Sequence, residues 1–291
     1  MPVRKAIIPA AGMGTRFLPA SKAVPKEMVT LVDRPVIQYA VEELVRAGIT
    51  DICIVDSEGK QALGDHFRSN AQLEELLARK NKTQLLDDLR YLSTLAEVSF
   101  VAQNDPKGLG HAVWLAREYS AGEPVVVLLP DEIIDPAENL VGEMIDTFDT
   151  ASVSVVAVDR VPHASIGSYG AIDPEDPEAD TTVVRSVVEK PDPDDAPSDL
   201  ALIGRYVLDP SVFDILETLP AGAGGEIQLT DALAVLAGSG RLIARRFRGR
   251  RWDAGTKQGY LQATVSLALD HPELGEDFRS YLEWARAGSH G

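Results

Sequence analysis

The chain has 291 residues, 45% of them hydrophobic and 25% charged, and a formal net charge of −17. This is enough chain for one large core and the wrong composition for disorder, and with no run of about 18 apolar residues no membrane span is expected. The acidic surplus argues against nucleic acid or an anionic membrane as partner, and a single cysteine, Cys53, leaves no disulfide within the chain.

Val3–Ile8 reads as a buried strand, too short an apolar run for a secretory signal. Cys53 lies in the apolar run DICIVD and reads as a small core residue, so a reducing, cytoplasmic setting is expected. After the first strand comes the loop PAAGMGTRFLPASKAVPKEM, residues 9–28. Pro35–Ala47 has helical spacing with a proline in the first turn and Gly48 behind it. Asp51–Val55 is a strand, and residues 70–90 are charged and periodic enough for one or two surface helices. Val98–Ala102 (strand), Leu109–Tyr119 (helix), Val125–Leu129 (strand), Leu140–Phe148 (helix) and Val153–Val158 (strand) continue the alternation. Further strands are expected at Val183–Val188, Leu202–Leu208 and Leu242–Phe247. Helices are expected near 210–218, 230–237, 257–270 and 273–287, with a glycine loop at 221–226. No repeat or linker stands out. The pattern predicts one domain, α/β and Rossmann-like, with a mixed, mainly parallel sheet and helices on both faces. Within that domain the part after about residue 150 changes character, with strands separated by turn-rich and glycine loops.

The loop at 9–28 carries the chemistry. A glycine-rich turn behind the first strand of such a sheet lets backbone N–H groups approach a phosphate or a base. It is not the dinucleotide fingerprint, because Phe17 stands where the third glycine belongs, and it lacks the Gly-Lys-Ser/Thr ending of a P-loop. A plain tight turn would explain Gly12 and Gly14. Arg16, Lys22 and Lys26 in the same loop add a local cationic patch suited to phosphate on an otherwise repelling protein.

The spaced residues Ala10–Arg16, Pro19, Lys22 and Pro25–Met28 resemble the signature of the sugar-1-phosphate nucleotidylyltransferases. The blocks LVDRPVIQYAVEE, QNDPKGLGHAV, LLPDE, YGAI, VVEKP, GRYVL, GEIQLTDAL and WDAGTKQGY extend the resemblance over nearly the whole chain. PKGLGHAV, GEIQLTDAL and the helical insert at 70–90 favour the uridylyl branch, the bacterial UTP–glucose-1-phosphate uridylyltransferases. That resemblance implies a Mg²⁺-dependent attack of glucose 1-phosphate on the α-phosphorus of UTP, giving UDP-glucose and pyrophosphate without a covalent enzyme intermediate. It also implies a homo-oligomer, dimer or tetramer.

By the same resemblance, the backbone of Ala10, Ala11 and Gly12 would line the base pocket, and Gly14 would also belong to the nucleotide site. Arg16 would clamp the leaving phosphates and Lys26 would sit at the α-phosphate. Glu27 resembles a base-contacting carboxylate, though a lone Glu there could equally be surface. Gln103 would read uracil with an amide that offers both donor and acceptor, and Gly108 would let backbone approach the base. His111 reads as structural. Asp131 and Asp253 would hold Mg²⁺, although Asp253 could simply cap the helix beginning at Lys257. Gly170, Glu189, Lys190 and Gly204 would meet the sugar and its phosphate. Thr30, Glu58 and Glu132 depart from the usual pattern without removing a predicted group. A thymidylyltransferase, a uridylyltransferase for another hexose, a non-catalytic binder on the same fold and a nicotinamide dehydrogenase remain as rival readings.

Overall fold

The computed structural model describes residues 1–222 and 225–288, so two residues of the predicted glycine loop, Ala223 and Gly224, lie outside it. Among the described residues nine strands form the main sheet. They are β1 (Lys5–Pro9), β2 (Asp51–Asp56), β3 (Glu97–Ala102), β4 (Val125–Leu128), β5 (Ser154–Arg160), β6 (Gly170–Pro174), β7 (Thr181–Glu189), β8 (Leu200–Leu208) and β9 (Leu242–Arg246). Their order is β3-β2-β1-β4-β8-β5-β9-β7-β6. The first four run parallel, and β8 and β7 oppose the remainder.

The two-residue strand period builds a core on each face. Ile7, Cys53, Val55, Val125 and Val127 pack under helices α5 (Leu109–Leu115), α8 (Ser211–Thr218) and α9 (Leu229–Gly238). Ala6, Ile8, Ile52, Ile54, Val126 and Leu128 pack under α1 (Val36–Arg46), α2 (Gln61–Phe67) and α7 (Leu140–Ala151). The charged insert forms two helices, α3 (Ala71–Arg79), capped by Asn70, and α4 (Thr83–Thr94). The chain closes with α10 (Lys257–Leu269) and α11 (Gly275–Arg286). No helix is long and apolar enough among the described residues to cross a membrane.

Several elements differ from the sequence reading. The helix expected over 109–119 breaks at Ala116 and resumes as α6 (Arg117–Ser120). Pro35 precedes α1, its backbone still extended, and ends a short ribbon in which Arg34–Pro35 pairs with Thr30–Leu31. Helix α2 went unread because Gly64 interrupts its short apolar pattern. Strand β6, GAIDP, contains Gly and Pro, both poor strand formers, and exists because it pairs with β7. A second ribbon, Glu132–Ile134 against Arg251–Asp253, was also missed.

The register of β8 organises the site edge. Arg205–Leu208 pairs with Leu128–Val125, while Ala201 pairs with Ala171. Strand β8 thus overhangs the end of β4, and β6 begins where β4 stops. Under this junction Arg205, 1% exposed, donates to both carboxylate oxygens of Glu43, at 3.1 and 2.6 Å, and to Leu129 O at 3.2 Å. Removing one member of a buried pair strands the other charge. Glu43→Ala should therefore destabilise the fold by about 3–5 kcal/mol in urea unfolding, and Glu43→Leu with Arg205→Met should cost much less. Equal losses in the two variants would contradict this.

Candidate active site

Beyond the ends of the four parallel strands stand three predicted site residues, Ala10, Gln103 and Asp131, and one that was not predicted, Lys60. Ala10 follows β1, Lys60 lies in the loop after β2, Gln103 follows β3, and Asp131 stands three residues beyond β4. Ligands of open α/β sheets bind beyond such carboxyl ends.

The glycine loop folds into three short 3₁₀ turns, Thr15–Phe17, Ala20–Lys22 and Lys26–Met28, rather than a helix. Ala10 and Ala11 are buried, with Ala10 N–H donating to Val55 O. Gly14 has φ +62°, and a Cβ there would stand 2.9 Å from Lys26 Cβ, so glycine lets the loop close on Lys26. Lys60 fastens the same loop, its Nζ donating to Ala10 O, to Gly12 O at 2.8 Å and to Glu27 Oε2 at 3.0 Å. The sequence reading assigns Lys60 no part, because nothing local reveals contacts made across 33 to 50 residues. Glu27 is 1% exposed, and its Oε1 has no hydrogen-bond partner among the described residues. Burial pushes its carboxyl above the usual range against the charges of Lys60 and Lys26. In this conformation it braces the loop instead of facing outward from it.

Lys26 Nζ lies 2.6 Å from Asp131 Oδ2. Burial pulls the lysine down, but the Asp131 carboxylate outweighs it and holds the ammonium above its ordinary value. Burial opposes ionisation of Asp131 too, and Lys26, helped by Arg16, wins and keeps it below the usual aspartate range. Asp253 is pushed up by burial and by the Asp131 charge. The two carboxylates converge: a Cβ on Gly255 would stand 2.9 Å from both Asp131 Oδ2 and Asp253 Oδ1. Asp253 does not cap α10. Thr256 does, accepting from Gly259 N–H, while Asp253 Oδ1 accepts from Gly255 N–H. Among the described residues no group of three or more His, Cys, Asp or Glu side chains forms a metal cage. Two hard oxygens in a glycine-lined gap fit a divalent cation that keeps waters and takes the rest of its shell from a ligand.

Arg16 is exposed and lines a cavity of about 960 Å³ with Tyr169, Arg251, Asp253 and Thr256. Among the described residues it has no ion-pair partner, so its guanidinium is available to a ligand. Glu132, buried on the second ribbon, pairs with Arg251 at 3.1 Å, and Arg251 pairs also with Asp159 at 2.8 Å. Burial, opposed by Arg251, raises the Glu132 carboxyl to about 7.

Gln103 is buried, its amide nitrogen donating to Gly108 O at 3.2 Å and lying 2.9 Å from His111 Nδ1. Gly108 has φ +97°, and a Cβ would strike Ile227 O at 2.7 Å. On the other flank, Gly170 begins β6 opposite Glu189. A Cβ on Gly170 would meet Leu202 Cδ1 at 2.9 Å and Glu189 Oε2 at 3.4 Å. Glu189 Oε2 accepts from Thr230 Oγ1 at 2.6 Å, a contact the sequence reading did not single out. Lys190, with φ +45° and N–H donating to Tyr169 O, holds its ammonium 3.3 Å from Glu189 Oε1 and is largely exposed. Gly204 sits apart from this group: it is buried in β8, where its missing side chain admits Leu129, 3.0 Å from an added Cβ.

The family model for nucleotidyl transferases matches residues 5–269. A UTP–glucose-1-phosphate uridylyltransferase of Bacillus subtilis strain 168 is 46% identical over 281 residues, covering 97% of this chain and 96% of its own. A UDP-glucose pyrophosphorylase solved in complex with UDP-glucose is 38% identical, with a TM-score of 0.84 over 92% of this chain and 100% of its own. A UTP-bound enzyme of that kind from Acinetobacter baumannii has a TM-score of 0.89 at 38% identity, over 96% and 98% of the two chains. With the family model spanning both the glycine loop and the Asp253 segment, the chain belongs to the nucleotidyl transferase family.

Proposed function

We propose that this chain transfers a uridylyl group from UTP to α-D-glucose 1-phosphate, releasing pyrophosphate and forming UDP-glucose. The observation that carries the reading is the meeting of Lys26, Asp131 and Asp253 at one end of the sheet. It lies between a small-residue loop and the Gly170–Glu189–Lys190 group, and the relatives named for this reaction match across the whole arrangement.

An oxygen of the sugar phosphate attacks the α-phosphorus, and the bond to the β-phosphate oxygen breaks in line with it. Catalysis is then positioning and charge neutralisation. The Ala10–Gly14 backbone and Gln103 seat the base. Arg16 meets the departing phosphates with its fork. Lys26 stays an ammonium and exchanges Asp131 for an α-phosphate oxygen as charge develops there. Glu189, oriented by Thr230, accepts from sugar hydroxyls, and Lys190 holds the sugar phosphate. Mg²⁺ would be held by Asp131 and Asp253, where it would supply positive charge to the phosphate oxygens. No nucleic acid or membrane takes part in this reading, the setting is cytoplasmic, and the chain assembles with copies of itself.

The direct test is pyrophosphate release from UTP, glucose 1-phosphate and Mg²⁺ by the purified chain. Release with UTP well above that with dTTP, ATP, CTP or GTP supports the reading, and no release with any sugar phosphate refutes it. Lys190→Ala should raise KM for glucose 1-phosphate by about tenfold or more while leaving UTP affinity near wild type; an unchanged sugar KM would remove that role. Gly255→Ala should weaken Mn²⁺ binding, read by electron paramagnetic resonance, because the added methyl occupies the gap between the carboxylates. Wild-type affinity would move the metal elsewhere.

A further inference from the structure

The amide of Gln103 has both of its hydrogens spoken for by the protein. A carbonyl oxygen can only accept, so the bond to Gly108 O fixes the amide nitrogen, not the oxygen, on that side. The second hydrogen then points at His111 Nδ1, 2.9 Å away, which must carry a lone pair. The imidazole is therefore neutral, with its proton on Nε2. Burial, with Lys107 acting in the same direction, lowers its affinity for a second proton. Gln103 Oε1 is left with no donor among the described residues.

The ring of His111 is itself held. It stacks on Trp114 one turn along α5, with centroids 6.1 Å apart and planes 20° from parallel. The start of α5 is pinned by Gly110 N–H donating to Ile227 O at 2.8 Å. Gly108 and Gly110 pack so closely on residues 227 and 228 that neither would admit a Cβ without a shift. The acceptor at Nδ1 is thus a fixed feature of the pocket wall.

We propose that His111 sets the base specificity of this site by locking the Gln103 amide so that it presents an acceptor only. The inference rests on the reading above, in which Gln103 faces the base. Uracil and thymine offer an N3–H donor to such an acceptor. Cytosine offers a lone pair at N3, which opposes Oε1 and leaves a buried acceptor unpaired. Without His111 only the longer, 3.2 Å bond to Gly108 O holds the amide in this orientation, and the discrimination weakens. His111 is a positioning residue here, acting through Gln103.

Equilibrium titration of the full chain with UTP and with CTP, in Mg²⁺ and without sugar, tests this independently of turnover. His111→Leu removes the acceptor and should reduce the UTP-over-CTP affinity ratio by about tenfold. His111→Asn, whose Oδ1 replaces the Nδ1 lone pair, should keep the wild-type ratio. An unchanged ratio in the leucine variant, or an equal fall in both, overturns the proposal. A probe that needs no variant is 3-methyluridine triphosphate, which lacks the N3 hydrogen. It should bind the wild type at least about tenfold more weakly than 5-methyluridine triphosphate, and equal binding also overturns the proposal. Pyrophosphate release is measured alongside. A dead catalyst with the expected ratios would fail the reaction and keep the base reading, and an active one with unchanged ratios would fail only the base reading.

Discussion

The 2.6 Å pair between Lys26 and Asp131 joins a mobile-looking piece of sequence, rich in Gly, Pro and Ala, to the end of a fully buried strand 105 residues away. Each group stabilises the charged form of the other against burial. Without that mutual support, burial would act alone and favour the neutral form of each. The supporting contacts radiate from this pair. Lys60 ties the loop's carbonyls to the segment after β2, Gly14 lets the loop close on Lys26, and Gly255 leaves room for Asp253 beside Asp131. On a chain of net charge −17, this cationic cluster gives a triphosphate a local field opposite to that of the whole.

Residue periodicity and motif spacing exposed much of this arrangement. The parallel strands behind Ala10, Gln103 and Asp131 are continuous apolar runs, and buried strands of that kind announce themselves in composition. What stayed hidden was whatever depends on pairing at a distance. Strand β6 has the local sequence of a turn and becomes a strand only against β7. The Glu132–Ile134 ribbon is set by Arg251–Asp253, more than a hundred residues later. Among site residues, Ala10, Gln103 and Asp131 owe their places beyond the strand ends to the apolar runs that precede them. Glu27, Gly204 and Lys60 take their roles from partners that local sequence does not show. Glu27 turns inward to a lysine, Gly204 accommodates a leucine, and Lys60 reaches three acceptors at once.

The supporting shell differs in kind between the two flanks. At the base end, positions are fixed by glycines too crowded to be anything else and by neutral hydrogen bonds, as between Gln103, Gly108 and His111. At the phosphate and metal end they are fixed by charge against charge. Neutral contacts keep their geometry as ionic strength changes, whereas the charged groups are built to exchange one partner for another when a ligand brings its own charge.

The overhang of β8 past β4 acts as a molecular ruler. One strand holds Leu128 at Arg205 and Ala171 at Ala201, four residues further along, with a bulge between them: β8 runs from Tyr206 back to Leu202 while β5 advances only from Val156 to Val158, and Gly204 takes φ +76°. The strand that ends toward Asp131 and the strand that begins at Gly170 are therefore spaced by a single backbone, bent at Gly204. Inserting or deleting one residue in the regular part of β8, Tyr206–Leu208, would turn every later side chain to the opposite face. The loops at either end are free to change which base or sugar fits, but the span between the two ends is set by strand geometry.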